Sequence, residues 1–167
     1  IGEDEDMILS YLYQHAVSPH LAAQLEGHPL EKDVILKAWK RVTEKYPYVT
    51  MEGSGGIVCP IRHDEKAVYY LEDIISWLHL PVLVVADAGL GTINHVVLTC
   101  EYIKHRHIPI QGIILNNWKG GVMEEDNVKM IEEITGVKVI AKVQKGDEIL
   151  HCDPKVLEAC YKDVGGC

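Results

Sequence analysis

The sequence predicts an α/β fold, a parallel β-sheet flanked by helices, with residues 1–167 forming a single domain. Three nearly continuous apolar segments, rich in β-branched residues, are typical of strands covered on both faces. They are "PVLVVAD" (81–87), "IQGIILN" (110–116) and "VKVIAKV" (137–143). Helical patterns lie between these segments and the joins are short, which is the order expected of parallel neighbouring strands.

The remaining elements follow from weaker or longer-period patterns. Two segments predict strands less strongly: "YPYVTME" (46–52), and "IVCPI" (57–61) as a short extension after a glycine-rich turn. Helical periodicity marks five segments, 18–27, 31–46, 67–80, 92–107 and 124–136. In the segment 31–46, one face carries Val34, Ile35, Ala38, Trp39 and Val42.

Composition excludes several classes of function. Apolar residues make up 47% of the chain and charged residues 25%, which is ordinary for a globular protein. The 25 acidic and 16 basic residues give a net charge of −9, which argues against a nucleic-acid partner because no basic stripe neutralises phosphates. No apolar run is long enough to span a bilayer, and no secretory signal is visible.

Cysteine usage predicts a cytoplasmic location. Five cysteines are scattered without C-x-x-C spacing, which favours reduced thiols over a disulfide framework. They are Cys59, Cys100, Cys152, Cys160 and Cys167.

The segment "MEGSGG" (51–56) places one carboxylate directly before a run of glycines. Glycines let backbone amides approach a ligand closely, and such loops commonly hold phosphate. A carboxylate beside phosphate requires a cation such as Mg²⁺ between the two anions, which makes Glu52 a candidate metal ligand. A glycine-rich turn with an incidental acid at its edge explains this short motif about equally well.

Two further loops follow predicted strands, at the edge where doubly wound sheets bind ligands. "DAGLGTINH" (87–95) leads into a helix whose free amides and macrodipole favour a carboxylate or phosphate. "LNN" (115–117) offers paired amides that suit the edge of a purine. Each motif alone is better explained by local structure, the first by a turn with Thr92 as N-cap and the second by an Asx-type turn.

Four segments together resemble the dethiobiotin synthetases, a family with the P-loop nucleoside-triphosphatase fold. They occur in the family's order and rough spacing: "SPHLAAQLEG", "MEGSGGIVCPI", "LPVLVVADAGLGTINHVVLT" and "GIILNN". The resemblance extends from about Tyr11 to about Lys142. Its combination of "LGTxNH" with "EGxGG" is more specific than a lone glycine pattern.

The resemblance implies an ATP- and Mg²⁺-dependent ligase of biotin biosynthesis. The family carboxylates 7,8-diaminopelargonic acid with CO2, phosphorylates the carbamate from ATP, and closes a cyclic urea with loss of phosphate. It also implies a homodimer, because in the family the pocket for the substrate's carboxylate tail is contributed by the partner subunit.

The resemblance also implies roles for individual residues. Glu52 matches the catalytic, Mg²⁺-coordinating glutamate of the family. The turn beside the phosphates matches Gly53, Gly55 and Gly56. The adenine-reading residue matches Asn116, and the backbone that flanks the base matches Val143 and Gln144. The pocket for the carboxylate tail matches Leu90, Gly91, Ile93 and Asn94.

The sequence departs from the family in one respect. No G-x-x-x-x-G-K-[ST] loop, no lysine-bearing loop and no metal-binding aspartate of the family pattern is found in the 167 residues. We therefore expect a fragment that lacks the N-terminal strand and P-loop and has little or no activity alone. The alternatives are half of a split enzyme, a non-catalytic ligand-binding or dimerisation module, and another P-loop amide-forming synthase of the cobyrinate amidase type.

Overall fold

The structure, a computed structural model, describes residues 5–161 and, at Asp6, the backbone alone. The helices are α1 (Glu5–Ile8), α2 (Pro19–Glu26), α3 (Lys32–Lys45), α4 (Leu71–Trp77), α5 (Thr92–His105), α6 (Val122–Thr135) and α7 (Pro154–Ala159). The strands are β1 (Pro60–His63), β2 (Val68–Tyr70), β3 (Val82–Asp87), β4 (Ile110–Asn116) and β5 (Val139–Lys142). The chain divides into two compact units, the N-terminal unit Ile1–His79 and the C-terminal unit Leu80–Cys167.

The C-terminal unit contains the parallel sheet. Strands β3, β4 and β5 pair in parallel with β4 in the middle, and each lies within two residues of a predicted apolar segment. Helix α5 follows β3 and packs against β3, β4 and α6. The predicted α/β fold with a parallel sheet and flanking helices is therefore confirmed.

The core of this unit is aliphatic. Ile113 and Leu115 of β4 and Ile131 of α6 are 0% exposed. Burying such a side chain contributes roughly 1.5–3 kcal/mol, so the middle strand anchors the packing of the sheet and helices. Helix α6 then ends at Gly136, whose φ of 69° is the left-handed conformation that glycine adopts readily.

The N-terminal unit contains an antiparallel hairpin, in which β1 pairs with β2. In the connecting loop, Asp64 Oδ1 accepts hydrogen bonds from the amides of Lys66 at 2.8 Å and Ala67 at 2.9 Å. The predicted helix 67–80 is therefore wrong at its start, because residues 68–70 are β-branched or aromatic and pair as a strand. Helix α4 starts only at Leu71.

Arg62 of β1 joins this hairpin to the chain before α3. Its side chain is 4% exposed and lies 2.7 Å from Asp64 and 2.8 Å from Glu31, and it donates to the carbonyl of Leu30 at 2.9 Å. The hydrogen bond from Arg62 lowers the pKa of Asp64 to about 2. A buried guanidinium with these partners avoids the cost of an unpaired buried charge.

Three other expectations for the N-terminal unit are corrected. Residues 46–52 form no strand within the described part of the chain, because Pro47 lacks an N–H for a ladder and Tyr48 is 59% exposed. The extension predicted at 57–61 lies at 60–63 as β1, in an antiparallel pair rather than in the parallel sheet. Helix α3 forms as predicted, yet none of its residues is fully buried.

The cysteines at positions 59, 100, 152 and 160 are free, as predicted for thiols. None of the helices in residues 5–161 combines the length and apolar character that crossing a bilayer requires. That the two units form a single domain stays a prediction.

Helix α6 offers a matched test of the core. We expect Ile131→Ala to lower the free energy of unfolding by about 2–5 kcal/mol, because it leaves a cavity where a fully buried side chain was. Ile134→Ala, on the same helix but 49% exposed, should cost much less. Chemical denaturation followed by circular dichroism measures both, and equal losses would contradict the assignment of the core face.

Candidate functional site

The predicted phosphate loop lies in the N-terminal unit and is open to solvent. Residues 51–59 belong to no helix or strand, and Glu52 is exposed. Within residues 5–161 its carboxylate has no hydrogen-bond or ion-pair partner. The side chain is therefore available to a ligand rather than used in the fold.

The glycines of this loop differ in what they require. Gly55 has a φ of 81°, in the left-handed region that other residues rarely adopt. A Cβ added at Gly53 would lie 2.9 Å from Leu71 Cδ2, whereas one at Gly56 would meet nothing within 4 Å. The backbone of the loop thus depends on Gly55, whereas a side chain at position 53 would require the Leu71 side chain to move.

The predicted carboxylate pocket lies at the start of α5 in the C-terminal unit. Gly91 is the N-cap residue with a φ of 90°. Leu90 is 93% exposed, Asn94 is exposed and Ile93 is half-buried. The amides of Ile93 and Asn94 have no backbone acceptor among the described residues, so they remain available to an anion at the positive end of the helix.

The alternative of a turn capped by Thr92 is wrong. Gly91 occupies the N-cap, and Thr92 is the first helical residue. Thr92 is 3% exposed, and its Oγ1 has no hydrogen-bond partner in the described structure. The side chain therefore does not satisfy the helix start, which leaves those amides to other acceptors.

The predicted base-reading residues lie at the same edge of the sheet. Asn116 ends β4 with an exposed side chain, and its carbonyl accepts a hydrogen bond from the amide of Ala88 at 2.8 Å. Val143 extends β5 by donating to the carbonyl of Leu115 at 2.8 Å. Gln144 follows, and its amide donates to Asp147 at 2.8 Å. The structure therefore brings the residues predicted to contact adenine together with the start of α5, within one unit.

Asp87 connects the two loops at this edge, although the sequence reasoning did not select it. Its Oδ1 accepts from the amide of Gly89 at 2.7 Å, and its Oδ2 accepts from Asn117 Nδ2 at 2.8 Å. The hydrogen bond from Asn117 and then that from Gly89 lower the pKa of this carboxyl group, with a smaller contribution from the charge of Lys119. The signal in the sequence was an acidic residue at the end of β3, two positions before Gly89.

Helix α6 supports the same loops through two buried side chains. Glu124, 3% exposed, accepts from the amides of Lys119 at 2.9 Å and Gly120 at 2.7 Å. Asn127, 8% exposed, donates to the carbonyl of Ala88 at 3.1 Å. Buried polar groups of this kind are costly unless paired, so each holds a specific loop conformation.

Trp118 fixes the middle of the loop that follows β4. It is 8% exposed, and its amide donates to the carbonyl of Val143 at 2.8 Å. Lys142 Nζ lies 4.2 Å from the centre of its ring and 2.9 Å from Glu125 Oε2. A cation over the indole face and a carboxylate partner together keep this loop against β5.

The side chains present fit one mode of magnesium coordination, in which the protein supplies few of the ligands. Within residues 5–161, no group of three or more His, Cys, Asp or Glu side chains is placed to enclose a metal. Mg²⁺ usually takes one or two protein carboxylates and completes its octahedron with phosphate oxygens and water. The free carboxylate of Glu52, beside a glycine loop, fits that mode and not an all-protein cage.

A separate cavity of about 190 Å³ in the N-terminal unit holds none of the predicted site residues. Its lining consists of His20, Ala23, Gln24, Gly27, Pro29, Arg62, His63 and Asp64. Because Arg62 is already paired with Asp64 and Glu31, the cavity offers no free cation from that residue.

Comparison with known proteins identifies a family. A family model described as "AAA domain" matches residues 2–150. A protein of Brachyspira hyodysenteriae named ATP-dependent dethiobiotin synthetase BioD is 49% identical over 158 residues, covering 94% of this chain and 71% of that protein. A protein of the same name from Clostridium novyi is 45% identical over 171 residues, covering 100% and 72%. Another, from Clostridium kluyveri, is 44% identical over 144 residues, covering 86% of this chain and 60% of the relative.

The glycine loop offers a matched pair of substitutions. We expect Gly55→Ala to lower the free energy of unfolding by about 1–2 kcal/mol, because an L-residue is strained at this positive φ. Gly56→Ala should be neutral, since its added methyl group meets no atom. Thermal and urea denaturation of both variants measure the difference, and a costly Gly56→Ala beside a neutral Gly55→Ala would contradict the loop geometry.

Proposed function

This chain belongs to the family of ATP-dependent dethiobiotin synthetases, and we propose that it forms the cyclic urea of dethiobiotin from 7,8-diaminopelargonic acid, CO2 and ATP. One observation carries the proposal. The match to the synthetase of Clostridium novyi covers the entire chain at 45% identity, and therefore includes all three predicted loops. The proposal also places the reaction in the cytoplasm and treats the chain as one domain without a nucleic-acid or membrane partner.

The start of α5 would bind the carboxylate tail of the diamino acid. Free amides at Ile93 and Asn94, together with the helix macrodipole, support an anion there, and the side chain of Asn94 adds a donor. The exposed Leu90 and the turn at Gly91 leave the approach open. We place this pocket at a homodimer interface, so that the tail bound by one subunit fixes the reacting amines over the nucleotide of the other. Binding far from the reacting atoms then contributes to their orientation.

The carboxyl edge of the sheet would bind ATP through its base. Asn116 has an exposed amide that can both donate to and accept from adenine, and it emerges where β4 ends. Backbone groups of Val143 and Gln144 would flank the ring. The base would therefore be held by a short segment whose conformation is fixed by hydrogen bonds between β4, β5 and the following loop.

The glycine loop would bind the transferred phosphate. The exposed backbone of Gly53, Gly55 and Gly56 lets phosphate oxygens approach closely, and Glu52 would hold Mg²⁺ in its catalytic role. When bound, Mg²⁺ would neutralise part of the negative charge on the phosphates. Phosphoryl transfer depends mainly on positioning and on compensation of charge, so the loop needs no strong nucleophile.

The carbamate of the substrate is the group that accepts the phosphoryl group in this reaction. Its second amine then attacks the activated carbon, and phosphate leaves as the five-membered urea closes. Within the C-terminal unit, residues of this chain would hold the tail and the base, and such positioning contributes to the rate of both steps.

A second candidate function is a non-catalytic ligand-binding or dimerisation module of the same fold. This function needs the predicted pocket at α5 but not the predicted phosphate-binding loop. A module of this kind would bind the diamino acid without turning it over, so separate measurements of binding and turnover distinguish the two candidates.

Glu52→Gln tests the metal role. In the intact enzyme that contains this chain, we expect Mg²⁺-dependent release of phosphate from ATP to fall by at least about 100-fold, because removal of a transition-state charge contact costs about 2.7 kcal/mol or more. The fold should be unchanged, since Glu52 is exposed and unpaired among the described residues.

Glu65→Gln serves as the matched control for this experiment, because Glu65 is an exposed carboxylate in the loop of the hairpin. Its turnover should equal that of the wild type. Unchanged turnover in Glu52→Gln would rule out the proposed role of this side chain.

Calorimetry with 7,8-diaminopelargonic acid tests the pocket at α5 without requiring turnover. We expect the Gly91→Val, Asn94→Ala double variant to weaken binding by about 10-fold or more, because it removes a donor and strains the turn. His105→Ala, at the other end of α5, should bind like the wild type. An unchanged affinity in the double variant would count against the pocket.

A further inference from the structure

Two loops at the carboxyl edge of the sheet are joined by a single carboxylate. Asp87 pairs with Asn116 in the register of β3 and β4, so the two strands end at the same level. From this position Asp87 accepts one hydrogen bond from Gly89, in the loop before α5, and one from Asn117, in the loop after β4. These bonds are 2.7 Å and 2.8 Å long.

The second of these loops has a backbone that needs support. Asn117 has a φ of 57°, in the left-handed region, and its neighbour Asn116 carries the exposed amide proposed to read the base. Asparagine tolerates this conformation better than most residues, but it is still strained. A side-chain hydrogen bond at 2.8 Å from Asn117 to Asp87 Oδ2 stabilises this conformation.

The first loop is fixed at the same point. A Cβ added at Gly89 would lie 2.9 Å from Asp87 Oδ1, which shows how closely the carboxylate approaches the backbone there. Asn127 of α6 donates to the carbonyl of Ala88, next to Gly89. The turn that precedes α5 is therefore held to Asp87 by a hydrogen bond.

We propose that Asp87 is a positioning residue that sets the orientation of Asn116 toward the base and couples it to the loop that begins α5. The inference rests on the proposed function, in which Asn116 reads adenine and α5 binds the tail of the diamino acid. Asp87 acts through Asn117 and Gly89. Its loss therefore affects selection of the base more than the chemical step.

The chemistry of the pair explains why a carboxylate is needed. One oxygen of Asp87 accepts from a backbone amide and the other accepts from a side-chain amide, so both acceptors are in use. An asparagine at position 87 has a single acceptor oxygen and no charge, so it cannot offer a separate carboxylate oxygen to each of the two N–H donors. The link between the loops is therefore weakened while size and shape are kept.

Steady-state kinetics of the intact enzyme that contains this chain test the inference. We expect D87N to raise the KM for ATP by about 2- to 10-fold, the equivalent of one typical hydrogen bond, with kcat nearly unchanged. Inosine triphosphate carries a carbonyl where adenine has its exocyclic amine. The preference for ATP over this analogue, as a ratio of kcat/KM values, should fall in D87N.

The exchange variant D87N/N117D separates positioning from general destabilisation. In this variant the amide at position 87 donates to the carboxylate at position 117. The hydrogen bond between the loops is restored with donor and acceptor exchanged, and the amino-acid composition is that of the wild type. We expect its KM for ATP and its preference for ATP to return most of the way to the wild-type values. D126N is the matched control, since Asp126 is exposed on α6 and has no partner among the described residues.

Hydrogen exchange of the free protein tests the coupling without any turnover. D87N should speed exchange of amides in both loops, 88–91 and 117–121, and the exchange variant should restore slow exchange in both. Faster exchange confined to 88–91, or an unchanged preference for ATP, would overturn the inference. If the wild type does not turn over ATP, the proposed function fails, and the exchange data alone then decide whether Asp87 couples the loops.

Discussion

The parallel pairing of β3 with β4, which sets Asp87 opposite Asn116, is the constraint on which the candidate site depends. Parallel strands direct their carboxyl ends to one edge, so the loops that follow must start side by side. The pairing is held in place by the burial of β4, since Ile113 and Leu115 are fully buried against the helices. A shift of one residue in this register would no longer set Asp87 opposite Asn116, and the arrangement of the edge would be lost.

The sequence was sufficient where a pattern was both long and buried. The strands β3, β4 and β5 are short runs of β-branched residues with helices between them, and their positions were predicted to within two residues. The hairpin of β1 and β2 was not predicted, because its strands are only four and three residues long and the second merges with the helix that follows. Its pairing is fixed instead by Asp64 in the turn and by the contacts of Arg62, which no periodicity reveals.

For the candidate site, the loops were predicted but the connections between them were not. Glycines and asparagines at strand ends are visible in the sequence, and they mark the places where ligands approach a sheet. The bond between Asp87 and Asn117 joins residues 30 positions apart, and Glu124 and Asn127 reach the loops from a helix. Such contacts depend on how α6 lies against the sheet, which is a property of the folded unit and not of any local segment. The N-cap of α5 is Gly91 and not Thr92, whose side chain is buried, and burial of a single threonine is likewise not visible in a local segment.

The indole of Trp118 has a practical consequence for anyone who studies ligand binding by this chain. It directly follows the two asparagines at the end of β4, is nearly enclosed, and has an ammonium group 4.2 Å above its ring. Trp39 and Trp77 both belong to the N-terminal unit, so this ring is the only tryptophan of the C-terminal unit. When the other two are both replaced by phenylalanine, the emission of the remaining native fluorophore reports the local electric field. Trp118 is then an optical probe of the carboxyl edge of the sheet that needs no attached dye.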